Sequence, residues 1–107
     1  MPKLGVMFVG VGGAVATTVV AGVELMLQGA VPKVGMLTEK TPANATRLPQ
    51  LLDLAALDDL VFAGWDLRSD DLFAAALEHK VLTPETLRLV EPSLRRIRPW
   101  RAVFCSE

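Results

Sequence analysis

The chain has 107 residues, a formal net charge of −1 and a hydrophobic content of 51%. This length allows one small domain or part of a larger one, and the near-neutral charge argues against nonspecific binding to nucleic acid. The single cysteine, Cys105, excludes an internal disulfide and a cysteine-rich zinc site, and it fits a reducing, cytoplasmic compartment.

The first predicted element is an apolar strand that begins near Leu4 and stops at a cluster of glycines. Small residues follow and predict the start of a helix. This order places backbone N–H groups and the positive end of a helix against a diphosphate, and the glycines allow the tight turn and the close approach. The spacing fits the first two glycines of G-x-G-x-x-G but has Val15 in the third position. The candidate cofactor contacts in this segment are Gly10, Gly12, Gly13, Ala14 and Val15.

A membrane segment and a signal peptide are alternative interpretations of the same residues. The stretch 4–23 carries no charge and is long enough to span a bilayer, and Ala14-Val15-Ala16 has the form of a cleavage site. Each glycine, however, weakens a helix interior by roughly 1 kcal/mol relative to alanine. Most of the glycines in the stretch 4–23 also cluster where a strand would turn. The pattern therefore favours a buried strand–helix unit and no membrane partner.

The middle of the chain continues the alternation of helix and strand. A helix is predicted over 14–28, with Gly29 as its C-terminal cap, and a second strand over 33–39. Glu39 would end that strand, where an acid commonly accepts hydrogen bonds from the ribose hydroxyls, although a solvated loop acid fits equally well. A short helix is expected over 48–57 and a third strand over 59–63, with a turn at Gly64.

The last third is predicted to be mostly helical. One helix covers 70–80, and the sequence Thr83-Pro84-Glu85 predicts the start of another. Pro92 is expected to kink or divide that helix, and 102–104 to begin a strand. Strand–helix alternation with short links predicts the α/β class, here a partial Rossmann-like parallel sheet with flanking helices.

Three ordered segments give a more specific indication. They are the glycine turn followed by Ala16-Thr17-Thr18, the sequence V-F-A-G-W-D over 61–66, and a helix pair over 74–99. Together they resemble the N-terminal part of the inositol-3-phosphate synthase family, in which a G-G-W-D strand end is distinctive. The resemblance implies that residues 1–107 form the N-terminal portion of an NAD-binding Rossmann-like domain, with the catalytic domain outside this chain. Many family members have asparagines where Ala14 and Val15 stand, so here only backbone donors remain.

The resemblance also implies an activity. In the family, bound NAD oxidises carbon 5 of glucose 6-phosphate, an intramolecular aldol step closes the ring, and the reduced cofactor returns the hydride to give inositol 3-phosphate. The implied cofactor is NAD, and the implied partners are glucose 6-phosphate and further copies of the chain in a homo-oligomer. None of the four lysines matches a catalytic lysine of the family, so no catalytic residue is assigned; they are Lys3, Lys33, Lys40 and Lys80. The opening unit of another NAD(P)-dependent oxidoreductase, or a non-catalytic nucleotide-binding or assembly module, is the alternative.

Three further side chains have two interpretations each. Asp66 matches the family aspartate that contacts NAD and follows a strand, although a helix-cap or turn aspartate is the simpler role. Thr17 and Thr18 offer hydroxyl donors near the phosphates or merely small surfaces for helix packing. His79 is expected to complement the dipole at a helix end, with no catalytic role.

Overall fold

The computed structural model describes residues 3–32 and 55–103. This part contains a parallel sheet of three strands in the order β1 (Leu4–Val9), β2 (Leu60–Asp66) and β3 (Trp100–Arg101). Helix α1 (Ala14–Leu27) follows β1, whereas α2 (Leu72–His79) and α3 (Pro84–Arg95) lie between β2 and β3. The predicted class, a parallel α/β sheet with flanking helices, is confirmed.

Two predicted elements of the middle segment are not part of this description. The strand over 33–39, with Glu39 at its end, lies outside the described residues. The same holds for residues 48–54 of the helix predicted over 48–57. Residues 55 and 56 are not helical, and a short 3-10 turn, Leu57–Asp59, leads into β2.

The prediction that β2 turns at Gly64 is wrong. The strand continues to Asp66, and Gly64 lies inside it opposite Phe8 of β1. A Cβ atom at Gly64 would overlap the carbonyl oxygen of Phe8. The glycine therefore marks the place where two neighbouring strands approach most closely, which is another position that requires a residue without a side chain.

The helix boundaries follow from local capping. Helix α1 ends one residue before the predicted position, and Gly29 has a φ of +75°, as a C-terminal glycine cap requires. Helix α2 begins at Leu72 because the side chain of Asp71 accepts a hydrogen bond from the backbone N–H of Ala74 at 2.9 Å. It ends at His79 because Lys80 is left-handed, with a φ of 57°.

The end of the chain differs from the prediction in two places. Thr83 caps α3 as expected, but Pro92 does not divide the helix, which continues to Arg95. Pro92 has no backbone N–H, so the helix continues past it with one intrahelical hydrogen bond fewer. The last strand of the described residues is Trp100–Arg101, and the strand predicted over 102–104 does not include 102 or 103, while 104 lies outside the described residues. The N–H of Ala102 donates to the carbonyl of Asp66 at 3.0 Å.

The hydrophobic core lies between the sheet and the three helices. Phe8 and Phe62 are the sheet residues packed against it, and their rings stack with centroids 6.1 Å apart. Its buried members come from the turn after β1 and from all three helices: Val11, Val20, Ala21, Leu25, Leu72, Ala76, Leu87, Val90 and Leu94. This packing brings the carboxyl ends of β1 and β2, the start of α1 and the end of α2 to one edge of the molecule. No helix within 3–32 and 55–103 is long and apolar enough to cross a membrane.

Candidate dinucleotide site

The turn between β1 and α1 is held by backbone atoms. The N–H groups of Gly10 and Val11 both donate to the carbonyl of Trp65, at 2.8 Å and 3.1 Å, and the N–H of Gly13 donates to the carbonyl of Gly10 at 2.9 Å. Gly10 has a φ of +91°, a conformation that residues with side chains rarely adopt. The glycine at this position is therefore required by the turn, and the turn is anchored to the end of β2.

The first turn of α1 presents donors without a local acceptor. Its N-cap is Gly13, which offers no side-chain hydrogen bond, and the first helical turn contains no acidic residue. The first N–H groups of a helix have no partner within the helix, and the helix start carries partial positive charge. Val15, in this first turn, is 77% exposed, so the helix start is open to solvent. Such a terminus favours an anion, and a diphosphate fits it.

Asp66 connects the end of β2 to this turn. Its Oδ2 accepts a hydrogen bond from the N–H of Gly12 at 2.8 Å. Its Oδ1 accepts from the N–H groups of Leu67 and Arg68, at 2.7 Å and 3.4 Å. The carboxylate thus acts as a turn aspartate towards its own strand end and as an acceptor towards the glycine turn at the same time.

Gly12 lies where no side chain can fit without displacing its neighbours. A Cβ atom there would be 2.7 Å from Cδ of Arg68 and 2.9 Å from Oδ2 of Asp66. The backbone of Gly12 is therefore closely packed against these two side chains. The missing side chain of Gly12 makes room for Arg68 and Asp66, and the uncapped start of α1 is the part of this turn that is open to an anion.

Arg68 is a residue of this site that the sequence did not single out. Its Nε lies 2.5 Å from Oδ1 of Asp70, and a terminal nitrogen lies 2.5 Å from Oε2 of Glu78. The hydrogen bond to Asp70 raises the pKa of the Arg68 guanidinium above its ordinary value against the effect of desolvation, and Glu78 adds to the rise. The same hydrogen bond lowers the pKa of Asp70. Arg68 is thus a cation paired with two carboxylates, which fixes its stem over Gly12.

His79 is the second residue whose contact the sequence did not predict. Its Nε2 lies 2.7 Å from the carbonyl oxygen of Gly12, although 67 residues separate the two in the chain. The prediction placed His79 at a helix end, and the structure agrees with that position. A local pattern gives no indication of which distant carbonyl the ring reaches, because that depends on how α2 packs against the turn.

The two threonines of α1 have their hydroxyl groups turned to the helix backbone. The hydroxyl of Thr17 donates to the carbonyl of Gly13 at 2.8 Å, and that of Thr18 donates to the carbonyl of Ala14 at 2.6 Å. Thr17 is also buried in the helix packing. These contacts agree with the packing interpretation of the two side chains.

The structure brings most of the predicted contact residues to one edge. Two open cavities border them: one of about 320 Å³ includes Ala14, Val15 and Val81 in its lining, and one of about 280 Å³ includes Asp66 and Arg101. The predicted set at this edge is Gly10, Gly12, Gly13, Ala14, Val15 and Asp66, whereas Glu39 lies outside the described residues. In the two described stretches, no group of three or more histidine, cysteine or acidic side chains is arranged to hold a metal ion.

Sequence comparisons identify relatives of the chain. The family model of the NAD-binding domain described as myo-inositol-1-phosphate synthase matches residues 4–107. Inositol-3-phosphate synthase 1 of Bacteroides thetaiotaomicron is 36% identical over 107 residues, which cover 95% of this chain and 25% of that protein. Inositol-3-phosphate synthase isozyme 1 of Arabidopsis thaliana is 29% identical over 123 residues, which cover 97% of this chain and 24% of that protein. The chain therefore spans about a quarter of the length of the curated relatives it matches.

A solved structure has the same fold. The crystal structure of inositol-3-phosphate synthase from Caenorhabditis elegans superposes with a TM-score of 0.71 and 19% sequence identity, covering 98% of this chain and 25% of that one. At this identity the likeness establishes the architecture alone. It confirms that the three parallel strands and their helices are part of a Rossmann-like sheet.

Proposed function

We propose that this chain, which belongs to the myo-inositol-1-phosphate synthase family through its NAD-binding domain, supplies the cofactor-binding part of an enzyme that converts glucose 6-phosphate to inositol 3-phosphate. The observation that carries the proposal is the turn between β1 and α1. There, a glycine without room for a Cβ adjoins a helix start without a side-chain cap. The cytoplasm and a homo-oligomeric assembly are part of the proposal, the former because the single cysteine fits a reducing compartment.

The chain's own residues would bind and orient the cofactor. The N–H groups at the start of α1, including those of Ala14 and Val15, would donate to the diphosphate, as the positive end of a helix favours. Gly13, the N-cap, would let the backbone approach the phosphate oxygens, and Gly12, which is buried, would hold the turn in place through Asp66 and His79. When bound, NAD supplies the hydride acceptor for oxidation of the sugar and the donor for the final reduction.

Asp66 would accept a hydrogen bond from the cofactor through Oδ2, the oxygen that has one protein donor, whereas Oδ1 has two. An ionised carboxylate has about four acceptor positions. The three N–H groups that it meets in the structure belong to Gly12, Leu67 and Arg68. One acceptor position therefore remains for a hydroxyl group of the ligand, and its placement at the carboxyl end of β2 is where open α/β sheets bind ligands.

The proposal is tested by replacing Gly12 with valine and measuring NAD binding by calorimetry. The valine side chain would occupy the space of the Arg68 stem and of the Asp66 carboxylate and so displace the turn that presents the start of α1. We therefore expect NAD affinity to fall roughly 10- to 100-fold. Equal affinity of the wild type and of Gly12→Val would contradict this site.

Gly22 provides the matched control, since it is a glycine of α1 whose Cβ would meet nothing within 4 Å. Gly22→Ala should leave NAD affinity unchanged and raise the free energy of unfolding by about 0.5–1 kcal/mol, because alanine is the better helix former. A loss of affinity in both variants would show that the effect of Gly12→Val is not local. A wild-type chain that binds no NAD while it unfolds cooperatively would favour the non-catalytic assembly module.

A further inference from the structure

The Val11–Gly12 and Gly12–Gly13 peptides are each held by a side chain from a different element. Asp66, at the end of β2, accepts from the N–H of Gly12, and His79, at the end of α2, contacts the carbonyl of the same residue. One glycine thus has both of its backbone polar groups bonded to side chains that follow it by 54 and 67 residues. A glycine loop without such contacts would be free to rotate its peptide planes, since glycine restricts them least.

The hydrogen-bond partner of His79 determines which of its ring nitrogens carries a hydrogen atom. A carbonyl oxygen only accepts hydrogen bonds, so Nε2 of His79 must carry the proton that it shares with Gly12. At 2.7 Å the contact is at the short end of the range for N–H···O bonds. The ring is half-buried, which limits competition from water.

A helix end and an ion pair fix the position of the ring. Lys80 ends α2 in a left-handed conformation, so that His79 is the last helical residue and projects from a defined point. Glu78, in the same helical turn, is held by Arg68, whose stem packs over Gly12. The end of α2 is therefore joined to the glycine turn by two separate side-chain contacts.

We propose that His79 is a positioning residue for the dinucleotide turn: through Nε2–H it fixes the Gly12–Gly13 peptide in the orientation that leaves the start of α1 open to the diphosphate. Pre-organisation of this kind raises affinity by reducing the ordering that binding would otherwise require. The ring acts through the backbone and is not itself in contact with the cofactor. This inference rests on the proposed NAD site.

The test compares two replacements of His79 in the full chain. Leucine keeps the bulk and removes the donor, whereas glutamine carries an amide N–H₂ at about the reach of Nε2. We expect His79→Leu to weaken NAD binding about 3- to 10-fold, the range for loss of one hydrogen bond, and His79→Gln to restore most of it. Arg88→Leu, an exposed change on α3, serves as the control and should bind NAD as the wild type does.

A second measurement does not depend on NAD. Amide hydrogen exchange of Gly12 and Gly13 in the ligand-free chain should accelerate about 3- to 10-fold in His79→Leu relative to core amides such as that of Val20, and return in His79→Gln. A purely structural role for the ring would accelerate core and turn amides together. Unchanged exchange at the turn, or a glutamine variant no better than leucine in either measurement, would overturn the inference.

The two measurements also separate this inference from the proposed function. A wild-type chain that fails to bind NAD, with the exchange of the turn still controlled by residue 79, would refute the cofactor site and retain the positioning contact. If the wild type binds NAD, and His79→Leu has the same NAD affinity and the same amide exchange at the turn, the positioning role is refuted and the cofactor site is retained.

Discussion

Asp66 has two functions that act through the same carboxylate. One oxygen holds the glycine turn through the N–H of Gly12, and the other closes the end of β2 through the N–H of Leu67. Sequence reasoning treats a turn aspartate and a ligand-binding aspartate as alternatives. The structure shows the turn contacts, and the ligand contact is the part that we propose, because the carboxyl end of a strand is also where a parallel sheet offers its ligand site.

Replacement of Asp66 by alanine should therefore have two measurable effects. We expect NAD affinity to fall by about 1.5–3 kcal/mol, the range for a hydrogen bond to a charged group, and the free energy of unfolding to fall by about 1 kcal/mol. Calorimetry and thermal unfolding on the same variant measure both quantities. Asp58→Ala, at an exposed aspartate before β2, is the control. Lower stability with unchanged affinity would mean that the carboxylate only holds the turn.

At the scale of elements, the pairing of β1 with β2 requires that residue 64 has no side chain. Gly64 lies opposite Phe8, and any Cβ there would overlap the backbone of β1. We expect Gly64→Ala to destabilise the chain by about 3 kcal/mol or more, because backbone cannot move aside as a side chain can. Chemical unfolding measures the loss. Gly22→Ala, whose added methyl group meets nothing, should change the free energy of unfolding in the opposite direction. A Gly64→Ala variant with unchanged stability would contradict the close approach of β1 and β2.

Elements with a strong local signal could be predicted, and elements that depend on distant contacts could not. The start of α3 is encoded by Thr83 and Pro84, whose capping and fixed φ need no partner elsewhere. The sequence predicts a β2 that is too short, because a glycine such as Gly64 is compatible both with a turn and with the close approach of a neighbouring strand. The contacts of His79 and Arg68 with the glycine turn arise only when α2 packs, so spacing along the chain contains no information about them.

For the whole molecule, binding and folding are linked. A ligand that binds only the folded chain stabilises it by an amount set by its concentration relative to Kd. With NAD at 100 times its Kd, the free energy of unfolding should rise by about 2.7 kcal/mol. Thermal unfolding with and without NAD measures this rise, and the same NAD concentration should stabilise Gly12→Val much less. An equal rise in both chains would place the NAD site elsewhere on the molecule.

The carbonyl of Trp65 accepts from both Gly10 and Val11, so the position of the glycine turn is set by a group that every amino acid possesses. This contact does not depend on the side chain of residue 65, because no side-chain atom takes part in it; the Trp65 ring packs instead against Trp100. The position of the turn relative to β2 thus depends on the backbone, and its internal conformation depends on the side chains of Asp66 and His79. A chain of this kind can retain its architecture at 19% identity to a solved relative.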